Sequence, residues 1–78
     1  MNPLQMAMRN KKNLLMTNVA GCYYCLKVFN TNEIINYTDE GDTALCPYCQ
    51  EDAVIPQLGS VLISEEYLNS IKTYMLGN

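Results

Sequence analysis

Apolar residues recur at helical spacing near the N-terminus of the chain, with a polar interruption between positions 9 and 13. The recurring apolar positions are Leu4, Ala7, Met8, Leu14 and Leu15. Asn2 is a good N-cap, and Pro3 fits the first helical position, where its missing N–H loses no hydrogen bond. The pattern predicts one helix over residues 3–16, ending well before Gly21.

A second helical pattern lies at the other end of the chain and carries clearer start and stop signals. Its apolar face is formed by Leu68, Ile71 and Met75. Ser64 is an N-cap residue, and the two glutamates that follow it complement the positive end of a helix dipole. Gly77 is a common type of residue just beyond a helix. These signals predict a helix over residues 65–76.

Between these helices the apolar runs are short and are separated by turn residues. Asn30 and Glu33 have the spacing of a capping box, which predicts a short helix over residues 31–37. Residues 39–42 form a turn signal. The three short apolar runs that predict strands are 43–46, 53–55 and 61–63.

The chain has 78 residues, which suits a single domain over 1–78 whose small core needs a metal, disulfides or a partner subunit. Its formal net charge is −3, which disfavours general nucleic-acid binding. All eight acids lie from Glu33 onward, and four of the five basic residues lie before it. The asymmetry fits either two solvated surfaces or a basic arm that meets an acidic partner.

The most specific chemical signal is a pair of C-x2-C motifs separated by twenty residues. The cysteines of the chain are Cys22, Cys25, Cys46 and Cys49. Each motif can present two sulfurs from one tight turn, and two such turns supply the corners of a tetrahedral zinc site. The chain has no histidine. Four thiolates would leave no vacant position on the ion, which predicts one structural Zn²⁺ and no catalytic metal.

Three other uses of the cysteines remain open on the sequence alone. The string Cys46–Cys49, "CPYC", also occurs at the active site of glutaredoxins, but a long helix follows it there. Rubredoxins bind iron through two similar turns, usually with glycine where this chain has Leu26 and Gln50. A framework of disulfides is the third alternative. Because zinc knuckles often need a left-handed glycine at the same two positions, distortion of at least one turn is expected.

Aromatic residues flank the two motifs, and acidic residues gather at turns and helix starts. The aromatic residues Tyr23, Tyr24, Phe29 and Tyr48 suit packing around the metal or, alternatively, a recognition surface. The acids fit capping and solvation better than paired-carboxylate catalysis. The sequence therefore predicts a protein that is not an enzyme.

The sequence contains neither a secretory signal pattern nor an apolar run long enough to span a membrane. This predicts a cytoplasmic protein with reduced thiols, which argues against disulfides. The stretches "GCYYCLKVF", "NEIINYTDEGDTALCPYC", "DAVI" and "ISEEYL" resemble short bacterial and phage proteins described as zinc-ribbon-like. The resemblance covers residues 21–75 and implies metal ligation by the four cysteines. It departs at Tyr37, where tryptophan is expected, and at Gln50, where glycine is expected.

The predicted fold is a small α+β zinc-binding domain with a two-knuckle core of the zinc-ribbon or treble-clef kind. A helical arm (1–20) precedes the core (21–56), and a C-terminal helix (57–78) follows it. The expected function is non-enzymatic protein binding, as an adaptor or as a phage-encoded inhibitor of a host protein. The alternatives are a nucleic-acid-associated regulator that uses the basic arm and, less favoured, a thiol redox protein.

The apolar faces of the two terminal helices exceed what a small core covers. One face is therefore expected to contact a protein partner or a second copy of the chain. We expect the exposed element to be the N-terminal helix, through Leu4, Met8 and Leu15, because methionines adapt to varied partners. The alternative is that this helix folds back onto Ile71 and Met75 and completes the core.

Overall fold

The computed structural model describes residues 3–76, with side chains described from Gln5 onward. Its helices are α1 (Pro3–Ala7), α2 (Lys11–Leu14), a 3-10 helix (Thr31–Glu33) and α3 (Glu65–Leu76). Its strands are β1 (Val19–Cys22), β2 (Val28–Asn30), β3 (Tyr37–Thr38), β4 (Thr43–Ala44) and β5 (Val54–Pro56). The small α+β class with antiparallel sheets is confirmed. The predicted cap at Asn2 and stop at Gly77 lie outside the described residues.

Two antiparallel sheets organise the chain. In the larger sheet β1 is central, with β2 on one side and β5 on the other. Ala20 lies opposite Phe29 on one neighbour and opposite Pro56 on the other. The smaller sheet pairs β3 with β4. The sequence reasoning missed β1 and β2, although these two strands carry the first cysteine motif at their shared end.

The apolar core divides into two clusters on either side of the central strand. One surrounds the cysteines and includes Phe29 and Ile34. The other is formed by Ala7, Ile55, Ile63, Leu68 and Ile71. Gly21 allows α3 to approach β1 closely, because an added Cβ there would lie 2.7 Å from side-chain atoms of both Ile63 and Leu68. Overpacking of this kind destabilises a core.

The prediction of one helix over residues 3–16 is wrong, because the chain breaks between α1 and α2. Arg9 adopts a left-handed conformation with φ of 45°. Its N–H donates to Thr43 Oγ1 at 2.8 Å, and the N–H of Lys11 donates to the carbonyl of Asp42 at 3.0 Å. Hydrogen bonds to the β3–β4 hairpin thus replace the helical ones at this point. Their contribution outweighs the helix propensity of the segment.

Asn10 fixes this break from inside the protein. Its side chain is fully buried, and the Nδ2 group donates to the carbonyls of Val54, at 2.8 Å, and Met6, at 3.2 Å. Its Oδ1 atom accepts from the N–H of Ala44 at 3.1 Å. One side chain therefore joins the N-terminal arm to both sheets.

One side of the N-terminal arm is packed into the core. Ala7 is buried in the cluster that contains Ile71, and Met6 and Met75 pack against that cluster. The alternative that the helix folds back onto Ile71 and Met75 therefore describes α1, while two of the residues expected to be exposed, Met8 and Leu15, are exposed. The outer side of the arm does remain open, with Met8 51%, Leu15 79% and Met16 76% exposed. The side chain of Leu4 lies outside the described residues.

The remaining element predictions have mixed outcomes. The helix over 65–76 is confirmed, with Ser64 Oγ accepting from the N–H of Tyr67 at 3.1 Å. The capping box of Asn30 and Glu33 is confirmed, but its 3-10 helix ends at Glu33 instead of residue 37 because the next residue is already extended. Residues 61–63 form no strand, since the N–H of Ile63 donates to the side chain of Gln57.

The other predicted strands are shorter than expected or slightly shifted. Of the run 43–46, only Thr43 and Ala44 pair with another strand, and the run 53–55 is moved by one residue to include Pro56. Over the described range 3–76, every helix is too short or too polar to cross a membrane.

Candidate metal centre

The first cysteine motif is the tight turn that joins β1 to β2. The N–H of Cys22 donates to the carbonyl of Lys27 at 2.9 Å, and the N–H of Leu26 donates back to the carbonyl of Cys22 at 2.8 Å. The N–H groups of Tyr24 and Cys25 point at the Cys22 sulfur, at 3.3 and 3.5 Å. The turn therefore supplies two donors that stabilise a thiolate at Cys22.

The second motif repeats this geometry closely. The N–H of Cys46 donates to the carbonyl of Glu51 at 2.9 Å, and the N–H of Gln50 donates to the carbonyl of Cys46 at 2.9 Å. The N–H of Tyr48 points at the Cys46 sulfur at 3.4 Å. The structure therefore contains two knuckles with the same pattern of backbone hydrogen bonds.

In both knuckles a residue other than glycine adopts the left-handed backbone conformation. Leu26 and Gln50 have φ values of 67° and 64°, so the expected distortion of at least one turn is wrong. A non-glycine residue in this conformation costs roughly 1–2 kcal/mol. The Gln50 side chain also accepts a hydrogen bond from Asn36 at 3.0 Å. The knuckle geometry therefore persists at both turns in spite of the local backbone cost.

The two knuckles bring all four sulfurs together. The Sγ atoms of Cys22, Cys25, Cys46 and Cys49 all lie within 4.8 Å of one another. The shortest pairs cross between knuckles, with Cys22 to Cys49 at 3.6 Å and Cys25 to Cys46 at 3.7 Å. A regular tetrahedron with metal–sulfur bonds near 2.3 Å has edges of about 3.8 Å. The sulfurs are thus placed to hold one tetrahedral metal ion.

Burial makes uncompensated thiolates unfavourable at this centre. Cys22 and Cys46 are fully buried, while Cys25 and Cys49 are partly exposed. Burial raises the pKa of the Cys22 thiol far above its usual value, and it also raises the pKa of Cys49. At Cys25 burial acts in the same direction, but the N–H of Lys27 and the neighbouring thiols outweigh it and lower the pKa. A bound cation would supply the missing positive charge.

The four aromatic residues near the motifs divide into two roles. Phe29 is buried beside the centre, and Tyr23 is half-buried against both core clusters. Tyr24 and Tyr48 occupy the same third position of each knuckle and are about half exposed. Packing in the core accounts for the first pair, and the Tyr48 ring also contacts that of Phe29, with ring centres 6.0 Å apart.

The two exposed tyrosines are each covered by a lysine. Lys72 Nζ lies 5.3 Å from the ring centre of Tyr24 and donates to the carbonyl of the same residue. Lys27 Nζ lies 5.3 Å from the ring centre of Tyr48, whose hydroxyl donates to Glu33 at 2.6 Å. These contacts occupy one face of each ring. The acid Glu33 serves here as a hydrogen-bond acceptor.

The chain after the second motif does not fit the glutaredoxin alternative. Cys46–Cys49 forms a turn that leads through a short loop into β5, where a glutaredoxin would place a long helix. None of the four cysteines is joined to another by a disulfide.

Comparison with protein-family models, curated proteins and solved structures finds no match to this chain. The functional argument therefore depends on the metal centre and on the surface around it.

Proposed function

We propose that the centre holds one structural Zn²⁺ ion and that the two knuckles form a zinc-ribbon-like core. Four converging thiolates suit zinc, which prefers tetrahedral sulfur sites and has no redox chemistry of its own. Full coordination by Cys22, Cys25, Cys46 and Cys49 would leave no position for a substrate. Iron in a rubredoxin-like site is the alternative that the same ligands permit.

Elemental analysis tests the metal. We expect the purified chain to contain one zinc per molecule. With the metal bound, the four cysteines should not react with a thiol reagent, and they should react after the metal is removed. Iron as the main metal, or two disulfides with negligible metal, would contradict the proposal. As a control against incorporation of whichever metal is in excess, the protein is produced in cells supplied with both zinc and iron.

We further propose that the chain is a non-enzymatic protein-binding module, an adaptor or an inhibitor. The observation that supports this most is the exposed pair Leu15 and Met16 at the end of α2. Both side chains are more than three-quarters exposed, although their neighbour Leu14 is buried. Adjacent exposed apolar residues are typical of a contact site for another protein. A structural metal would make the surface that carries them rigid.

The resemblance of residues 21–75 to short bacterial and phage proteins extends this proposal. It favours a cytoplasmic setting and, for a phage-encoded chain, a host protein as the partner. A small acidic protein of this kind could act by blocking a surface of that host protein.

The nucleic-acid alternative is less well supported by the contacts of the basic arm. Arg9 pairs with Asp42 at 2.9 Å. Phosphate binding needs several cations gathered on one surface. Two of the four lysines lie outside the arm, Lys27 between β1 and β2 and Lys72 in α3.

A co-purification experiment with two matched variants tests the protein-binding function. The tagged full chain is purified from the cells that naturally express it, beside Leu15→Glu and Leu62→Glu. The two leucines are similarly exposed, at 79% and 76%, but Leu62 lies in the loop before α3. We expect a stoichiometric protein partner that Leu15→Glu loses and Leu62→Glu keeps.

Two results would count against this function. One is the absence of any stoichiometric protein, and the other is equal loss of the partner in both variants. A complex that nuclease removes and that weakens steeply with salt would favour the nucleic-acid alternative instead. Melting temperatures of the two variants should match that of the wild type, which excludes unfolding as the cause.

A further inference from the structure

A groove lies beside Leu15, the exposed residue that follows α2. Its volume is about 460 Å³, within the range of ligand-binding pockets. It runs between α2, the loop before β1, and the segment from the end of β2 to β3. We name it the amide groove and define it by Lys11, Leu15, Asn18, Asn30, Asn32 and Tyr37.

Primary amides dominate the polar lining of the amide groove. The side chains of Asn18 and Asn32 make no hydrogen bond to another described residue. Asn30 uses its Oδ1 atom to accept from the N–H of Asn32, which leaves its Nδ2 group free. Each amide can donate and accept, as each peptide unit does. The lining can therefore pair with the backbone of an extended chain.

The groove walls beneath these amides are held in place by local hydrogen bonds. The Thr31 hydroxyl donates to the carbonyl of Thr17 at 2.9 Å, and the N–H of Thr31 donates to the carbonyl of Asn18 at 3.0 Å. These bonds tie the 3-10 helix to the loop before β1. An extended segment would therefore meet a preformed surface, which reduces the entropy cost of binding.

The charge of the amide groove is positive and comes from one residue. Among the described residues that line it, Lys11 is the only charged one, and none of them carries a carboxylate. The ring of Tyr37, 5.4 Å from the Lys11 ammonium, holds that cation at the wall. The chain as a whole carries −3, whereas the described lining residues carry one positive charge. An acidic ligand group would complement it.

We propose that the amide groove binds an extended peptide segment of a partner protein, with an acidic side chain placed against Lys11. The amides of Asn18 and Asn32 pair with the peptide backbone, and Leu15 contacts an apolar side chain next to the acid. This proposal rests on the protein-binding function and names the part of the partner that is recognised.

A single strand of nucleic acid fits the same groove less well. Its repeated phosphates need several cations, and Lys11 is the one cation among the described lining residues. One face of the Tyr37 ring is already covered by that lysine, which limits base stacking. The experiment below includes RNA as a separate arm.

The test uses the metal-loaded full chain and a displayed library of short random peptides. Enriched peptides are synthesised, together with copies in which each acidic residue is changed to its amide. Affinities are measured for the wild type and for two matched pairs of variants. Lys11→Gln is compared with Lys12→Gln, an exposed neighbour outside the groove. Asn32→Ala is compared with Asn69→Ala, an exposed asparagine of α3.

We expect the enriched peptides to combine an acid with an adjacent apolar residue. Lys11→Gln should weaken binding about fivefold, the loss of one partly exposed ion pair, while Lys12→Gln leaves it unchanged. Asn32→Ala should weaken binding and Asn69→Ala should not. The peptide copies with amides in place of acids should bind the wild type more weakly. Their affinities for Lys11→Gln and for the wild type should be equal.

Three results would overturn the proposal. They are a library that yields no acidic enrichment, peptides that respond equally to Lys11→Gln and Lys12→Gln, and a mixed-sequence RNA that binds in place of peptides. If a cellular partner is lost with Leu15→Glu but keeps its affinity for Lys11→Gln, only the assignment of the groove fails. If neither a partner nor a peptide is found, the protein-binding function fails as well.

Discussion

Cys46→Ser should abolish the cooperative unfolding transition of the protein, an effect well beyond a mild fall in melting temperature. Cys46 is fully buried, and its sulfur belongs to the four that converge between the knuckles. Metal binding in small zinc domains contributes roughly 10–16 kcal/mol to folding. Typical domains are stable by about 5–15 kcal/mol in total, so losing the proposed metal would remove most or all of that margin.

Thermal unfolding followed by circular dichroism measures this effect, and removal of the metal by a chelator should reproduce it in the wild type. Tyr48→Phe is the matched control, because it alters the same knuckle and keeps all four sulfurs. It loses only the exposed hydrogen bond to Glu33 and should retain a cooperative transition. A sharp transition of Cys46→Ser near the wild-type temperature would show that the metal is incidental to stability.

Asn10→Ala should destabilise the protein by about 2–4 kcal/mol. The substitution leaves two buried backbone groups without their partner, the carbonyl of Val54 and the N–H of Ala44. It also releases the link between the N-terminal arm and the two sheets. Denaturant unfolding of the metal-loaded protein measures the change.

Asn13→Ala is the control for Asn10→Ala. Asn13 lies in α2 three residues further on, and its side chain makes no hydrogen bond to another described residue. Alanine favours a helix more than asparagine, so this variant should be as stable as the wild type or slightly more stable. A loss below about 1 kcal/mol for Asn10→Ala would mean that water replaces its contacts and that the arm is held mainly by apolar packing.

The parts of the fold that could be predicted are those decided by local signals. The cap at Ser64, the apolar stripe and the acidic first turn fix α3 within its own sequence. The capping box at Asn30 was also correct, because it needs only four consecutive residues. The spacing of the cysteines anticipated their convergence, since two tight turns can present four sulfurs only in a few ways.

The parts that could not be predicted depend on contacts between distant residues. The break at Arg9 is caused by hydrogen bonds to residues 42 and 43, which no local window contains. Asn10 reads as one polar position among several in the interruption at 9–13. Its three partners are distributed over Met6, Ala44 and Val54, and nothing in the neighbouring sequence distinguishes Asn10 from Asn13.

The two knuckles show a limit of a different kind. Glycine is the usual residue for a left-handed turn, so Leu26 and Gln50 argued for distortion. Both turns are nevertheless regular. The N–H of Leu26 donates to the carbonyl of Cys22, and the N–H of Gln50 donates to the carbonyl of Cys46. A network of several hydrogen bonds can therefore impose a conformation that a single residue disfavours.

The hydrogen bond from Asn10 to Val54 has a consequence for how molecules of this protein meet each other. β5 is an edge of the larger sheet, and an open edge invites strand pairing between copies and, eventually, aggregation. The bonds from Tyr23 to Ala53 and from Gln57 to Val19 orient the odd-numbered positions of β5 toward β1. Val54 and Pro56 therefore turn their backbone groups outward, where Asn10 covers one carbonyl and proline offers no N–H. On the opposite edge, Glu33 occupies the N–H of Asn30. Side chains of the protein thus cover part of both edges of the sheet, which disfavours pairing with strands of other copies.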